Sequence, residues 1–276
     1  MRINTNVMAL NAQNMLGGNQ TSVEKSIGRL SSGLRINSAA DDAAGLAISE
    51  KMRSQIRGLD QATSNANDGI SLIQTAEGAL QQTTDILQRM RELVVKAENT
   101  GVLSGEDQTS IEVEVAALVE EIDRIANSTS FNKKKLLDGS LDGTSASLNF
   151  KIGANTGTQD KLIMTIDGMT STKLGIGSLE VVDDPSGALT AIDNAIIKVS
   201  EQRARLGAVQ NRMEYAVESL TTTAENLTAA ESRIRDVDMA SEMVNFTKDN
   251  ILQQSAMAML AQANKQPEQI LTLLQG

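Results

Sequence analysis

Residues 192–234, IDNAIIKVSEQRARLGAVQNRMEYAVESLTTTAENLTAAESRI, decide the fold. Ile192, Ile196, Val199, Leu206, Met213, Val217, Leu220, Ala224, Leu227 and Ile234 keep a 4-3 apolar spacing through six heptads, and only Arg203, Gln210 and Glu231 interrupt it. A stripe held that long, with no Pro and one internal Gly, predicts a single rod of roughly 60 Å at about 1.5 Å per residue. Such a rod needs a partner of similar length. Ile48, Met52, Leu59, Ala62, Ala66, Ile73, Ala76, Leu80, Leu87, Met90, Val94 and Ala97 repeat the alternation, with exceptions at Gln55, Gly69 and Thr83. Ile111, Val115, Leu118, Ile122 and Ile125 form a third, shorter stripe. The fold class predicted is mainly α: an elongated antiparallel helical bundle of long, coiled-coil-like rods, whose small Ala positions let the axes approach closely.

Composition narrows the chemistry. The chain of 276 residues is 40% hydrophobic, but it has no Trp, one Tyr (Tyr215) and three Phe, so the core must be built from Leu, Ile, Val, Ala and twelve Met. An aliphatic core suits helix seams better than a ligand pocket. A net charge of −10 disfavours nucleic acid, whose binders release phosphate counterions with clustered Lys and Arg; the one basic run, Lys133 to Lys135, reads as a solvated loop. Without His or Cys there is neither the commonest general base nor the commonest metal ligand, and no thiol chemistry. No phosphate-cradling glycine loop and no dense acidic cluster occurs either, so no catalytic residue, metal site or cofactor is expected.

Membrane insertion is not expected, because no stretch approaches the roughly 20 apolar residues that span a bilayer. Residues 1–20 hold five Asn and one basic residue, Arg2, without a continuous apolar core or a small-residue cleavage site. They do not read as a secretory signal peptide.

The ends of the chain have their own pattern. Leu16, Val23, Ile27, Leu30 and Leu34 predict a first helix that ends near Ile36, loosened at Gly33 and Asn37. Asp41 and Asp42 sit where acidic groups cap a helix start. Ser104, three residues before Asp107, gives an approximate capping box for the third stripe after a break at Asn99 to Ser104. Between about 139 and 187 the period changes to two: Leu148, Phe150 and Ile152, then Leu162, Met164 and Ile166, flank turn residues Asn155 to Gly157, predicting a β-hairpin as the only strand element. Pro185 and Gly187 close that region. Beyond Asp236 helical spacing resumes through Met239, Met243, Phe246, Leu252, Met259 and Leu260, and Pro267 is expected to interrupt it before the apolar tail Ile270, Leu271, Leu273 and Leu274. The two terminal segments have no complete burial partner except each other, which predicts sticky faces and association between copies.

The residues at both ends carry a resemblance. Met1-Arg-Ile-Asn-Thr-Asn, Leu30-Ser-Ser-Gly-Leu-Arg-Ile-Asn37, Asp41-Asp-Ala-Ala-Gly-Leu-Ala-Ile48, Asp68-Gly-Ile-Ser-Leu-Ile-Gln-Thr-Ala-Glu-Gly78, Gln88-Arg-Met-Arg-Glu-Leu93 and Phe131-Asn-Lys-Lys-Lys-Leu-Leu-Asp-Gly139 resemble the amino-terminal region of bacterial flagellins. Leu206-Gly-Ala-Val-Gln-Asn-Arg212, Glu225-Asn-Leu-Thr-Ala-Ala-Glu-Ser-Arg-Ile-Arg-Asp236 and Leu260-Ala-Gln-Ala-Asn264 resemble the carboxy-terminal region.

The resemblance implies a non-enzymatic subunit that self-polymerises into the hollow flagellar filament used for swimming, in a short form without large central surface domains. It implies two domains: 1–40 with 236–276 as a terminal helical pair lining the inner tube, and 41–235 as the outer rod domain that includes the hairpin region. Inner-tube packing then falls to Leu16, Val23, Ile27, Leu30, Leu34, Met243, Phe246, Leu252, Met259 and Leu260. It further implies secretion to the extracellular filament without a cleaved signal peptide, an export chaperone on the carboxy-terminal helix, and filament-cap and hook-junction proteins as neighbours. A host Toll-like receptor is the last implied partner, reading Arg89, Leu93 and Glu114 with Ile192 and Ile196 nearby; Ala117 departs from the family's common Gln at one contact. The alternative is a hook-filament junction adaptor, which shares the terminal design but not this dense set of motifs, and which should not form long tubes alone. An unrelated coiled-coil scaffold would account for the heptads but not for the paired terminal motifs.

Overall fold

A computed structural model describes residues 6–99, 104–142 and 147–275, with side chains followed as far as residue 266. The motif at residues 1–5, part of the break at 100–103 and the side chains of the apolar tail lie outside the described residues. Six helices follow in order: α1 (Val7–Ser32), α2 (Ala43–Ala97), α3 (Gly105–Ser128), α4 (Ser171–Leu174), α5 (Pro185–Arg235) and α6 (Met239–Gln275). Four short strands lie between α3 and α4: β1 (Ser130–Phe131), β2 (Lys134–Lys135), β3 (Leu148–Lys151) and β4 (Lys161–Met164). The chain falls into two compact units, 1–54 with 226–276, and 55–225.

In the unit 55–225 the predicted seams are the core. Ile73, Leu80, Leu87 and Met90 of α2, Ile111, Val115 and Ile122 of α3, and Ile192, Val199, Leu206 and Met213 of α5 form one buried cluster. The ion pairs Arg91–Asp193 at 2.8 Å and Arg203–Glu77 at 3.6 Å run in opposite chain order, so α2 and α5 are antiparallel. Gly69, an apparent fault in the α2 stripe, is a fitted position: a Cβ there would lie 2.9 Å from the Met213 side chain and 3.1 Å from the Phe150 ring. Thr83, a second exception, is buried and spends its hydroxyl on the Ala79 carbonyl at 3.1 Å, so it enters the seam without an unpaired group.

The polar exceptions on α5 flank the seam. Arg203 reaches across to Glu77, and Gln210 donates to Glu214 of its own helix at 2.9 Å. On α5 the buried polar residue is Gln202, 1% exposed, whose amide oxygen and nitrogen are both buried without a hydrogen bond.

The helix starts follow their sequence signals. Ser104 and Asp107 make a complete capping box, Asp42 accepts from the Gly45 N–H at 2.9 Å at the start of α2, and Asp184 accepts from the Gly187 N–H at 2.9 Å with Pro185 in the first helical position. Asp41 does a different job from Asp42: its carboxylate receives the Asn37 and Ser38 N–H groups and the Ser38 hydroxyl, fixing the turn before α2. The Ser38 backbone N–H, then its hydroxyl, hold the Asp41 carboxyl below the usual carboxylate range.

Strands β3 and β4 pair antiparallel as predicted, with Leu148 opposite Met164 and Phe150 opposite Leu162. After β4, Ile166, Met169, Leu174, Ile176 and Val181 all enter the core, pinned where Asp123 accepts from both the Ser171 N–H and hydroxyl at 2.7 Å. One strand pair departs from expectation. The lysine run turns tightly, with Asn132 at φ 47° and Lys133 at φ 66°, and places Lys134–Lys135 against Ser130–Phe131. Two-residue strands are too short to carry an alternation.

Because removing two orphaned amide atoms outweighs the loss of a single side chain's polarity, Gln202→Leu is expected to raise the unfolding free energy by about 1–3 kcal/mol. Urea denaturation followed by circular dichroism checks this; a lower midpoint would mean the amide has a partner.

Candidate functional site

Helices α1 and α6 carry many of the large apolar side chains left exposed among the described residues. Asn6 begins α1 by accepting from the Ala9 N–H at 3.1 Å, and Gly33, in the left-handed region at φ 72°, ends it by donating to the Arg29 carbonyl. Asp238 begins α6 by accepting from the Ala240 and Ser241 N–H groups. At the break between α1 and α2 the chain meets the break between α5 and α6: Leu34 and Asp236 form an antiparallel bridge, Arg35 N–H donates to the Arg235 carbonyl at 2.6 Å, and Val237 N–H donates to the Gly33 carbonyl at 3.1 Å. The Arg35 guanidinium adds a bond to the Ile234 carbonyl, and Arg235 pairs with Glu50 at 2.7 Å.

From that bridge α1 and α6 run antiparallel in one register. Arg29 stands 3.7 Å from Glu242, which is 7% exposed; its Oε1 makes this ion contact but no hydrogen bond. At the far end the Asn6 amide nitrogen donates to the Ala263 carbonyl at 2.8 Å. That carbonyl explains why α6 continues through Pro267 to Gln275, against the expected interruption. A proline has no N–H, so the carbonyl four residues before it is left orphaned inside the helix. For Pro267 that carbonyl is Ala263's, and Asn6 supplies the missing donor. One side chain thus caps α1 and repairs α6.

The burial of this pair is shallow. Among described residues only Val23 and Ser26 of α1 and Glu242 and Ala263 of α6 are buried. Of the residues expected to pack here, Val23 is buried, Leu16, Leu30, Leu34, Phe246 and Leu260 are half-buried, and Ile27, Met243, Leu252 and Met259 are exposed. Val7, Leu10, Val244 and Ile251 are exposed as well. Met8, Ala12, Met15, Leu252, Ala256 and Met259, with the polar Asn11, Asn19 and Ser255 among them, line an open, largely apolar groove of about 380 Å³ between the two helices.

The second set of expected residues lies in the unit 55–225. Arg89 on α2 donates to Glu114 of α3 at 3.0 Å and to Glu92 at 3.3 Å, and the Glu114 bond, followed by that to Glu92, raises the guanidinium above its ordinary pKa. Arg89 and Glu114 face solvent. Leu93, 3% exposed, and the fully buried Ile192 are core residues, and Ile196 is half-buried. Only the charged pair is therefore directly available to a partner in this conformation. Among the described residues no group of acidic side chains is placed to hold a metal ion, and no helix is long and apolar enough to cross a membrane.

The apolar stripes of the terminal helices were readable by spacing. Arg29–Glu242 and Asn6–Ala263 were not, because each joins residues more than two hundred positions apart.

Replacing Asn6 by Asp keeps the α1 cap and removes the donor to Ala263. It is expected to destabilise the α1–α6 pairing by about 1–3 kcal/mol, the cost of an unpaired buried carbonyl now facing a charge. Amide hydrogen exchange in α1 should accelerate in Asn6→Asp; unchanged protection would show that the Asn6–Ala263 bond contributes nothing.

Residues 3–142 match the profile of the bacterial flagellin N-terminal helical region, and residues 189–274 match that of the bacterial flagellin C-terminal helical region. The flagellin of Bacillus subtilis (strain 168) is 52% identical over 303 aligned residues, covering 99% of this chain and 100% of that protein. The flagellar filament 33 kDa core protein of Treponema phagedenis is 52% identical over 288 residues, with 99% and 100% covered. The crystal structure of Bacillus cereus flagellin is similar at 30% identity, over 61% of this chain and 94% of that one, with a TM-score of 0.48.

Proposed function

The chain belongs to the bacterial flagellin family and is a structural subunit of the flagellar filament, and we propose which of its faces build that polymer. Relatives that match over their whole length are flagellins and filament core proteins, which favours the bulk polymer over the junction adaptor. The family is structural, not enzymatic.

In our reading residues 1–40 and 236–276 pair as the inner tube of a hollow filament, and 41–235 forms the outer tube with the hairpin region on its surface. The observation that supports this is the row of exposed apolar side chains on α1 and α6, which water disfavours and a neighbouring copy would cover. Leu16, Val23, Ile27, Leu30, Leu34, Met243, Phe246, Leu252, Met259 and Leu260 divide between holding the pair together and meeting those neighbours. A contact that does not close on itself propagates as a helical polymer, so a modest interface repeated many times yields a stiff tube. The same exposed face of α6 suits an export chaperone before assembly, and the ends of the tube suit cap and hook-junction proteins. The subunit reaches the extracellular filament by the flagellum's own export path.

Purified full-length protein mixed with short filament seeds is expected to elongate them into hollow tubes visible by electron microscopy, and a chain ending at Ser255 is expected to stay monomeric. Elongation by the truncated chain would sink this account of the inner tube. A full chain that remains monomeric would return the junction reading.

We also propose that the exposed Arg89–Glu114 pair is the polar patch read by a host Toll-like receptor, with Leu93, Ile192 and Ile196 positioning it from below. Arg89→Ala is expected to raise the half-maximal dose in a receptor-reporter assay by about tenfold, the equivalent of about 1.4 kcal/mol. An unchanged dose response would remove the patch from consideration.

A further inference from the structure

Of the eleven methionines among the described residues, ten are sorted by position, and Met52 on α2 is half-buried. In the unit 55–225, Met90, Met164, Met169 and Met213 are all buried. On α1 and α6, Met8, Met15, Met239, Met243, Met257 and Met259 are all exposed, Met15 by 68% and Met259 by 62%. The chain has no Cys, His or Trp and a single Tyr, so the thioethers are its main targets for mild oxidants, and the accessible ones sit on the helices that must be covered by other copies.

We propose that these six methionines are a reversible oxidation site that controls whether a free subunit can enter the polymer. The proposal rests on the reading of α1 and α6 as the assembly helices. The oxidant is a peroxide or a hypohalous acid. With hydrogen peroxide, a sulfur lone pair attacks one oxygen, an S–O bond forms, the O–O bond breaks, and water leaves after proton transfer; sulfur loses two electrons and the peroxide gains them. With hypochlorous acid the oxygen is delivered with loss of chloride and a proton. The product sulfoxide is polar and accepts hydrogen bonds, where the thioether was apolar.

The geometry gives that change its effect. Met8, Met15 and Met259 line the apolar groove between α1 and α6, beside Ala12, Leu252 and Ala256. A neighbouring copy seated there would strip water from the sulfoxide oxygens, and a polar group that loses its hydrogen bonds to water opposes burial. Reduced methionine suits the same place because its unbranched, polarizable chain adapts to an interface repeated among copies. Once covered in the filament, the thioethers are shielded, so assembled subunits escape the modification that excludes free ones. Enzymes that reduce each sulfoxide epimer reverse it with an added dithiol, which supplies two electrons and two protons and becomes a disulfide as the oxygen leaves as water.

The test uses full-length protein. Monomer is treated with dilute hydrogen peroxide, quenched, mapped by peptide mass spectrometry and offered to filament seeds beside untreated protein. One added oxygen is expected on each of the six and little on Met90, Met164, Met169 or Met213, with a rise of about tenfold or more in the critical concentration for elongation. Reduction of the oxidised wild-type protein by sulfoxide reductases of both epimer specificities is expected to restore assembly. A variant with all six changed to Leu should polymerise after peroxide treatment, and the reductase rescue stands independently of how that variant folds. Preformed filaments should gain oxygen at these positions more slowly than monomer. The proposal is overturned if protein oxidised at the six elongates seeds at the untreated concentration, or if reduction does not restore assembly. Untreated protein that cannot elongate seeds would overturn the filament reading and the proposal with it.

Discussion

The arrangement of the terminal unit depends on two helix breaks lying side by side. Gly33 and Asp236 interrupt helices that would otherwise run on, and each interruption frees backbone groups that a helix would have paired. At this point the freed groups satisfy one another: Arg35 N–H meets the Arg235 carbonyl, and Val237 N–H meets the Gly33 carbonyl. A bridge of that kind tolerates little sliding, because moving by one residue would orphan both pairs. It therefore fixes the register of α1 against α6, and Arg29–Glu242 and Asn6–Ala263 fall into place along the same alignment. Gly33 is required here, since its positive φ turns the chain out of α1 without steric penalty.

Polar groups inside apolar seams are the second theme. Helix pairs with a uniform aliphatic face have many near-equivalent alignments, and a buried polar residue that is satisfied in only one of them selects it at some cost in stability. Arg29–Glu242 fits that description: the pair is too far apart for a hydrogen bond, yet Glu242 is almost wholly buried, so displacement of Arg29 would leave a carboxylate without its counter-ion. Gln202 is different. It has no partner for either amide atom, so it weakens the unit 55–225 without selecting an alignment visible in this conformation. Thr83 and Thr84 show the inexpensive solution, in which a hydroxyl bonds the carbonyl one turn back and only a methyl is left to pack.

Most of the helical architecture was legible because a long heptad repeat is read many times over. A single substitution such as Gly69 or Arg203 does not erase it, and Ser104 with Asp107 announced their helix start in the local chain. The hairpin was legible for the same reason at period two. What escaped were features with one short signal or none. Lys134–Lys135 pairs over two residues, its turn set by Asn132 and Lys133 at positive φ, a conformation that Asn favours but Lys does not advertise. Pro267 was misread because a local rule, that proline breaks helices, met a distant side chain that supplies the missing bond. Leu93 came from a family correspondence that identifies positions without their burial, and only packing shows that it points into the core, whereas Ile192 was already placed in the seam by its heptad spacing.

The functional surface follows from an imbalance of partners. Helices α2, α3 and α5 share one another and the segment after β4, so their stripes close into a common core. α1 and α6 keep large apolar residues such as Val7, Leu10, Ile27, Val244 and Ile251 exposed after pairing with each other. Two helices cannot enclose a core; at least one further layer is needed for apolar faces on both sides. Satisfying the remainder within that unit would demand further helices packed on the pair. In the filament we propose, copies of the same pair would supply them, and since each copy brings the same deficit, every contact made would leave another face open for the next. Incomplete burial in the single chain is thus the physical counterpart of indefinite growth in the polymer.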